Sequence, residues 1–334
     1  MLALTLPLAG CISLPSLFTE PAPLEESVVQ GRGAAKILLL DLDGVLTESP
    51  EAGAFGFGGR ESTLARLRSA LDRARGDADV RGVVLRIQSP GGTVTASDVA
   101  YEEIRRFKQE RRVPVVAQLM GVAASGGYYA AMAADAVYAH PTSVTGSIGV
   151  LWTGIGFAGL LEKLGIEDQT IKAGARKDTG SPLRRMTPEE RAQLQGVLDA
   201  LHARFRQVVA EGRAHAGLTP ERVRALSDGR IYVAPEAREL GLVDGIAYLP
   251  DTIEEAKRRA GVSEARVVLY HRRREWSENL YSAAPLDAPR TGDGVGGAPA
   301  GGAPAVPTSL RLELGLGPAP AVRGPAFLYL WTGE

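Results

Sequence analysis

The stretch Gly121-Val122-Ala123-Ala124-Ser125-Gly126-Gly127-Tyr128-Tyr129 holds the serine best placed for covalent chemistry. A short apolar run of strand type, residues 114–119, precedes it, and a helical stretch of small residues running to Ala134 follows. Ser125 therefore stands at a strand-to-helix junction, where the first amides of the helix have no internal partners and can hold an anion or oxyanion. The glycines permit a tight turn and close approach of another backbone. The residues alone leave two readings open: a nucleophile beside an oxyanion site, or an N-cap serine in a Gly/Ala-rich packing site. A second stretch, Ser89-Pro90-Gly91-Gly92, invites the same question. Pro90 holds Ser89 extended and the paired glycines can present bare N–H groups, although the tetrapeptide by itself reads equally as an ordinary turn.

Other chemistries find less support. Asp41-Leu42-Asp43-Gly44-Val45-Leu46-Thr47 resembles the nucleophile motif of haloacid-dehalogenase-type phosphatases. That reaction needs a later lysine and a second acidic cluster to hold magnesium, and Asp135, in an Ala-rich connection, is a poor candidate for it. The plainer reading is that Asp41 and Asp43 turn the chain where it leaves a sheet. One cysteine, Cys11, and four dispersed histidines, His140, His202, His215 and His271, offer neither an intrachain disulfide nor metal-ligand spacing. No metal or cofactor is expected. With 38 basic and 39 acidic residues and a net charge of -1, the chain is not marked as a nucleic-acid binder.

The elements that must position Ser125 alternate in type. Residues 36–42 form a nearly continuous apolar run, as in a strand covered on both faces. Strands over 80–87, 113–119 and 136–138 and helices over 61–75, 96–109 and 125–134 follow, which implies crossover units and a mostly parallel α/β sheet. Gly91-Gly92 and Ser125 both follow strand ends, where such sheets gather their binding groups. Thr187-Pro188-Glu189-Glu190 opens a long helix reaching about His215, and a shorter one spans 217–226.

Taken together, residues 86–92 (Arg-Ile-Gln-Ser-Pro-Gly-Gly), Ala124 to Tyr129, and Thr145-Gly146-Ser147-Ile148-Gly149-Val150 resemble the signal peptide peptidase A family of serine peptidases. The resemblance continues through Lys172 to Pro182 and Asp228 to Asp244, covering roughly residues 35 to 270. It implies a crotonase/caseinolytic-protease-like fold of repeated ββα-type units, with Ser125 as nucleophile and Lys177, before Asp178-Thr179-Gly180-Ser181-Pro182, as general base. Gln88 departs from the asparagine usual in that family but keeps an amide donor and acceptor.

A lysine base also suits the composition, because no histidine lies in a comparable block. A lysine can serve if enclosure keeps its amine neutral. Of six lysines, Lys36, Lys108, Lys163 and Lys257 fall in strand or helix positions, leaving Lys172 and Lys177. The matching block favours Lys177.

The expected reaction is cleavage of extended apolar peptides, such as cleaved signal peptides, by a Ser-Lys dyad. Backbone N–H groups of Gly92 or Gly91, and of Gly126, are the oxyanion candidates, and Ser147 is a candidate to orient the lysine. The alternatives are a crotonase-type acyl-CoA enzyme and a non-catalytic membrane-associated scaffold. The resemblance further implies a homo-oligomer, ring-shaped in the family, with active sites that can form where subunits meet.

Leu8-Ala9-Gly10-Cys11 resembles the lipobox of bacterial lipoproteins, with Cys11 as the lipidated residue. Residues 1–34 are thus expected to be signal and tether, with the catalytic domain outside the cytoplasm at the cell envelope. The peptidase domain is expected over 35–275, and a Gly/Ala/Pro-rich flexible linker over 286–307. A C-terminal segment, 308–334, could dock as a strand on the body or a neighbour.

Overall fold

The computed structural model describes residues 23–50, 61–272, 280–281 and 327–330. Cys11 and the linker 286–307 lie outside them. The chain opens with β1 (Glu25–Gly31) and β2 (Lys36–Asp43). Side chains of β2 alternate between two cores. Leu38, Leu40 and Leu42 enter the larger, while Ile37 and Leu39 enter the smaller. A strand buried on both faces must read as an unbroken apolar run, which explains its sequence.

Helix α1 (Thr63–Arg75) starts at Ser62, whose side chain accepts from the Ala65 amide, and it buries Leu67 and Leu71. The chain then forms β3 (Val80–Ser89), β4 (Gly91–Thr93) and α2 (Val94–Arg111), followed by β5 (Val115–Ala124) and α3 (Gly126–Ala131). Next come β6 (Ala136–Ala139), β7 (Val144–Gly146), β8 (Leu151–Trp152) and α4 (Ala158–Lys163). The second half adds α5 (Pro188–Gly212), α6 (Pro220–Ala225), β9 (Ile231–Val233) and α7 (Ala234–Glu239). It closes with β10 (Gly245–Ile246), α8 (Leu249–Arg259), β11 (Arg266–His271) and β12 (Phe327–Leu330).

The main sheet runs β1-β11-β2-β3-β5-β6-β10, with β7 beside β5 and β9 beside β7. Every pair from β11 to β10 is parallel, as is β5 with β7; only β1 with β11 and β7 with β9 are antiparallel. Helices cover both faces, with α8 burying Leu249, Ile253 and Ala256 in the smaller core. Across the larger core Arg213, fully buried, forms a two-pronged pair with Asp244 at 2.8 and 3.0 Å. Burial would raise the Asp244 carboxyl, but Arg213 and the Val137 amide outweigh it and hold it below the usual range. The fold is the expected Clp-protease-like α/β arrangement around a mostly parallel sheet.

Three boundaries differ from the sequence reading. Residues 25–31, expected within the tether, form an edge strand of the main sheet. The strand expected to end at 119 runs to Ala124, because Val122–Ala124 gain a new partner in β7. The helix expected over 125–134 spans only 126–131, because Ser125 is not helical and residues 132–134 close in tighter turns onto Tyr129, Ala130 and Ala131.

Candidate active site

The site is built where β5 changes neighbours. Val116–Leu119 pair with β6, then Val122–Ala124 pair with β7, while Ala123 also meets Ser89 of β3. The strand end is therefore gripped from both sides just before Ser125. The Gln88 side chain adds a brace by accepting from the Gly121 amide at 2.8 Å, so the glutamine that replaces the family's usual asparagine still serves the loop.

Ser125 has φ 52° and ψ -118°. For a residue with a β-carbon this backbone state costs on the order of 1–3 kcal/mol and persists only when the surroundings impose it. The imposing contacts are its amide, which donates to the Gly146 carbonyl at 2.8 Å, and its own carbonyl, which accepts from the Tyr129 amide at 2.8 Å. The side chain makes no capping bond. The N-cap role that the residues alone allowed is thus not what Ser125 does. Its hydroxyl stands at the tip of a sharp strand-to-helix turn, a geometry that presents a nucleophile.

The glycines are required by space. A β-carbon at Gly126 would lie 2.2 Å from the Ser97 hydroxyl, and one at Gly127 would lie 2.7 Å from the Ser89 carbonyl. Ser89 is buried and ties the neighbouring loop together, donating to the Gly44 carbonyl at 2.6 Å and accepting from the Gly91 amide at 3.1 Å. The Gly91 N–H, one of the oxyanion candidates, is therefore spent on Ser89.

Gly92 differs. Leu46 donates to the Gly91 carbonyl at 2.8 Å and accepts from the Thr93 amide at 3.0 Å. Because strand residues alternate their polar groups between edges, the N–H of Gly92 faces the opposite way, toward the cleft. The amide of Gly126 opens α3, so both remaining oxyanion candidates border the Ser125 turn.

Ser147 also stands at this turn. Ala124 and Gly146 are direct partners across β5 and β7, so the next residues, Ser125 and Ser147, leave the sheet side by side. Ser147 shares the unusual backbone state, with φ 50°, and its amide donates to the Arg230 carbonyl at 2.8 Å. Tyr128 and Tyr129 are fully buried packing residues. Tyr128 donates to the Leu242 carbonyl at 2.7 Å, and Tyr129 donates to Asp98.

Lys177 is placed apart. It is exposed, in a turn in which its amide donates to the Gly174 carbonyl at 3.1 Å. Among the described residues no hydrogen bond or ion pair of its ammonium is found, and none joins the Ser125 hydroxyl to any base. The turn itself is tied down. Asp178 accepts from Lys172 and from Arg184, and Arg184 reaches on to Glu190 at the start of α5. The histidines are engaged elsewhere, His140 with Thr142, His202 with Arg206, His215 with Asp244 and His271 with Ser27.

The phosphatase-like aspartates are structural. Asp41 receives a two-pronged contact from Arg86 at 2.7 and 2.8 Å. Burial, followed by the charge of Asp41, raises the Asp43 carboxyl above its ordinary range. Among the described residues no cluster of histidine, cysteine and carboxylate side chains is fit to hold a metal ion.

Comparison with known proteins places this arrangement. The profile of Peptidase family S49 matches residues 107–263, and that of Clp protease matches residues 67–145. The chain is 36% identical over 247 residues to the Enterococcus faecium protein named "Putative signal peptide peptidase SppA", covering 74% of this chain and 70% of that protein. It is 36% identical over 217 residues to a Synechocystis protein named "Putative protease slr0021", covering 65% of this chain and 75% of that one. To the Arabidopsis thaliana "Serine protease SPPA, chloroplastic" it is 32% identical over 203 residues, which make up 60% of this chain but 29% of the plant protein. A strained serine between glycine amides, on a Clp-like sheet and in a sequence that aligns with these peptidases, makes this chain a member of Peptidase family S49.

Proposed function

We propose that the chain is a serine endopeptidase with a Ser125-Lys177 dyad, acting on extended apolar peptides such as cleaved signal peptides. The observation that carries the reading is the strained turn at Ser125, with the amides of Gly92 and Gly126 at its border. The neutral Lys177 amine takes the Ser125 proton as the hydroxyl oxygen attacks the scissile carbonyl. The developing oxyanion is held by the two amides, each such donor contributing about 3 kcal/mol when aligned. The ammonium then protonates the leaving amine, and water, deprotonated by the same lysine, resolves the acyl-enzyme. Ser147 orients the lysine.

A lysine amine in water is protonated at neutral pH, and only enclosure lowers its pKa enough for it to act as a base. Lys177 is exposed in its own chain. We therefore place the working dyad at a junction between copies, where Lys177 of one copy enters the Ser125 cleft of another in a homo-oligomer. Ser125→Ala and Lys177→Ala should each abolish peptide cleavage, and an active-site phosphonate should label Ser125. Assembling the two inactive variants together should restore roughly a quarter of wild-type turnover, the random share of junctions that pair an intact serine with an intact lysine. No recovery on co-assembly would refute the shared site, and full cleavage by either variant would refute the dyad.

From Leu8-Ala9-Gly10-Cys11 we also infer a lipid anchor at Cys11 that holds the catalytic domain at the outer side of a bacterial membrane. Labelling by a palmitate analogue should be lost in Cys11→Ser, and its persistence would count against the anchor.

A further inference from the structure

The strand β12 is the middle member of a separate three-stranded sheet in the order β4-β12-β8. Leu328, Tyr329 and Leu330 lie antiparallel to Thr93, Gly92 and Gly91, and Phe327 and Leu328 lie antiparallel to Trp152 and Leu151. The two outer strands do not pair with each other. With strands spaced about 4.8 Å apart, they bound a slot about 10 Å across, the width of one extended chain. Edge strands with unpaired polar groups are where extended peptides add themselves to a sheet.

The slot passes the Ser125 turn. A β-carbon at Gly91 would lie 2.0 Å from the Tyr329 carbonyl oxygen and 2.7 Å from the Gly126 amide nitrogen. That carbonyl and that amide thus share one niche, the place where an acyl carbonyl must sit to be attacked.

The Tyr329 side chain is fully buried. It stacks on Tyr129 at 5.3 Å between ring centroids and meets Phe205 at 4.7 Å. Its hydroxyl donates to the Leu201 carbonyl at 2.7 Å. One wall of this pocket comes from α3, four residues after Ser125, and the other from α5. The pocket is shaped for a flat ring with a polar tip, and a charged side chain would find no counter-charge among these contacts.

We propose that the slot between β4 and β8 is an extended-peptide site whose main pocket selects an aromatic side chain, tyrosine foremost, on the residue whose carbonyl faces Gly126. We further propose that residues 327–330 of this chain occupy it as a displaceable stand-in for substrate. The proposal deepens the peptidase reading and rests on it for the link to cleavage.

Binding and cleavage are tested separately. The probe is fluorescently tagged Phe-Leu-Tyr-Leu-amide, the sequence of residues 327–330. In the full chain, Tyr329→Asp should eject the strand and bind the probe at least about tenfold more tightly than wild type, as judged by anisotropy. Replacing the probe's tyrosine by alanine should weaken binding about tenfold or more. Because Tyr329→Asp could unfold the body, wild type is examined as well. Saturating probe should remove hydrogen-exchange protection from residues 327–330 while leaving β3 and β5 protected. Unchanged protection at 327–330 would show β12 to be a fixed part of the fold and would overturn the proposal, as would equal binding of the tyrosine and alanine probes. Tight, tyrosine-dependent binding by a protein that cleaves no peptide would instead uphold the slot and refute the peptidase reading.

Discussion

At Ser125 the backbone is held at φ 52° and ψ -118°, a state that glycine adopts freely and serine does not. The strain is kept because the Gly146 carbonyl and the Tyr129 amide fix the peptide groups on either side. Removing the hydroxyl and removing the strain are therefore different operations. Ser125→Ala keeps the β-carbon and the strain, while Ser125→Gly releases it at some cost in unfolded-chain entropy. Both variants should be inactive, and Ser125→Gly should be more stable than Ser125→Ala by about 1 kcal/mol in chemical denaturation. A glycine variant that is less stable than the alanine variant would show that the turn is not strained. Ser147, side by side with Ser125 and also at positive φ, doubles the cost at one spot. Backbone strain of this kind concentrates where geometry serves chemistry.

At the scale of elements, the loop that carries Lys177 is fixed to α5 through charge. Thr187 caps the helix by accepting from the Glu190 amide at 3.2 Å, and the Glu190 carboxylate accepts from the Thr187 amide at 3.0 Å. Arg184 bridges Glu190 to Asp178, beside Lys177 in the chain. Its guanidinium, helped by the Thr187 amide, holds the Glu190 carboxyl down to about 2, and with Lys172 it lowers Asp178 as well. Both folded values lie below the unfolded carboxylate value of about 4, so the anchoring is complete above about pH 4 and is lost as the pH falls toward about 2. Arg184→Gln should return the Glu190 carboxyl toward about 4 in an NMR titration and reduce peptide turnover at neutral pH, because Lys177 is then loosely held. An unshifted Glu190 titration would show that Arg184 does not hold it.

The capping box was legible, since Thr187-Pro188-Glu189-Glu190 spells it out. The ion pairs were not, because nothing in Asp178-Thr179-Gly180-Ser181-Pro182 says which arginine will face the aspartate. The strands of the main sheet were readable from apolar runs buried on both faces. The extension of β5 past Gly121 was hidden, because it depends on β7, a partner of three residues contributed from later in the chain. Ser125 and Gly92 could be found as a serine and a bare amide after strand ends. The aromatic pocket could not, since Tyr129, Phe205 and Tyr329 meet only through the folded chain.

For the molecule as a whole, burial is uneven. The sheet and its covering helices close over two dry cores, yet residues 153–177 are mostly exposed and expose apolar side chains. Leu164 is 62% exposed, Ile166 53% and Ile171 fully, with Phe157 and Leu160 nearby in sequence. A contiguous apolar surface of this sort marks a contact site. Because the exposed Lys177 lies just beyond it, a second copy docking there would cover the apolar face and enclose the lysine in one event. Leu164→Glu with Ile166→Glu places charge where burial is needed, and burying an unpaired carboxylate is prohibitive. The double variant should sediment as a smaller species than wild type and lose nearly all peptide cleavage. Its thermal unfolding should be unchanged at protein concentrations where wild type is also dissociated, because neither side chain contributes to the cores. Wild-type assembly with wild-type turnover would remove this face from the shared-site proposal, and full turnover by a dissociated variant would place both members of the dyad within one chain.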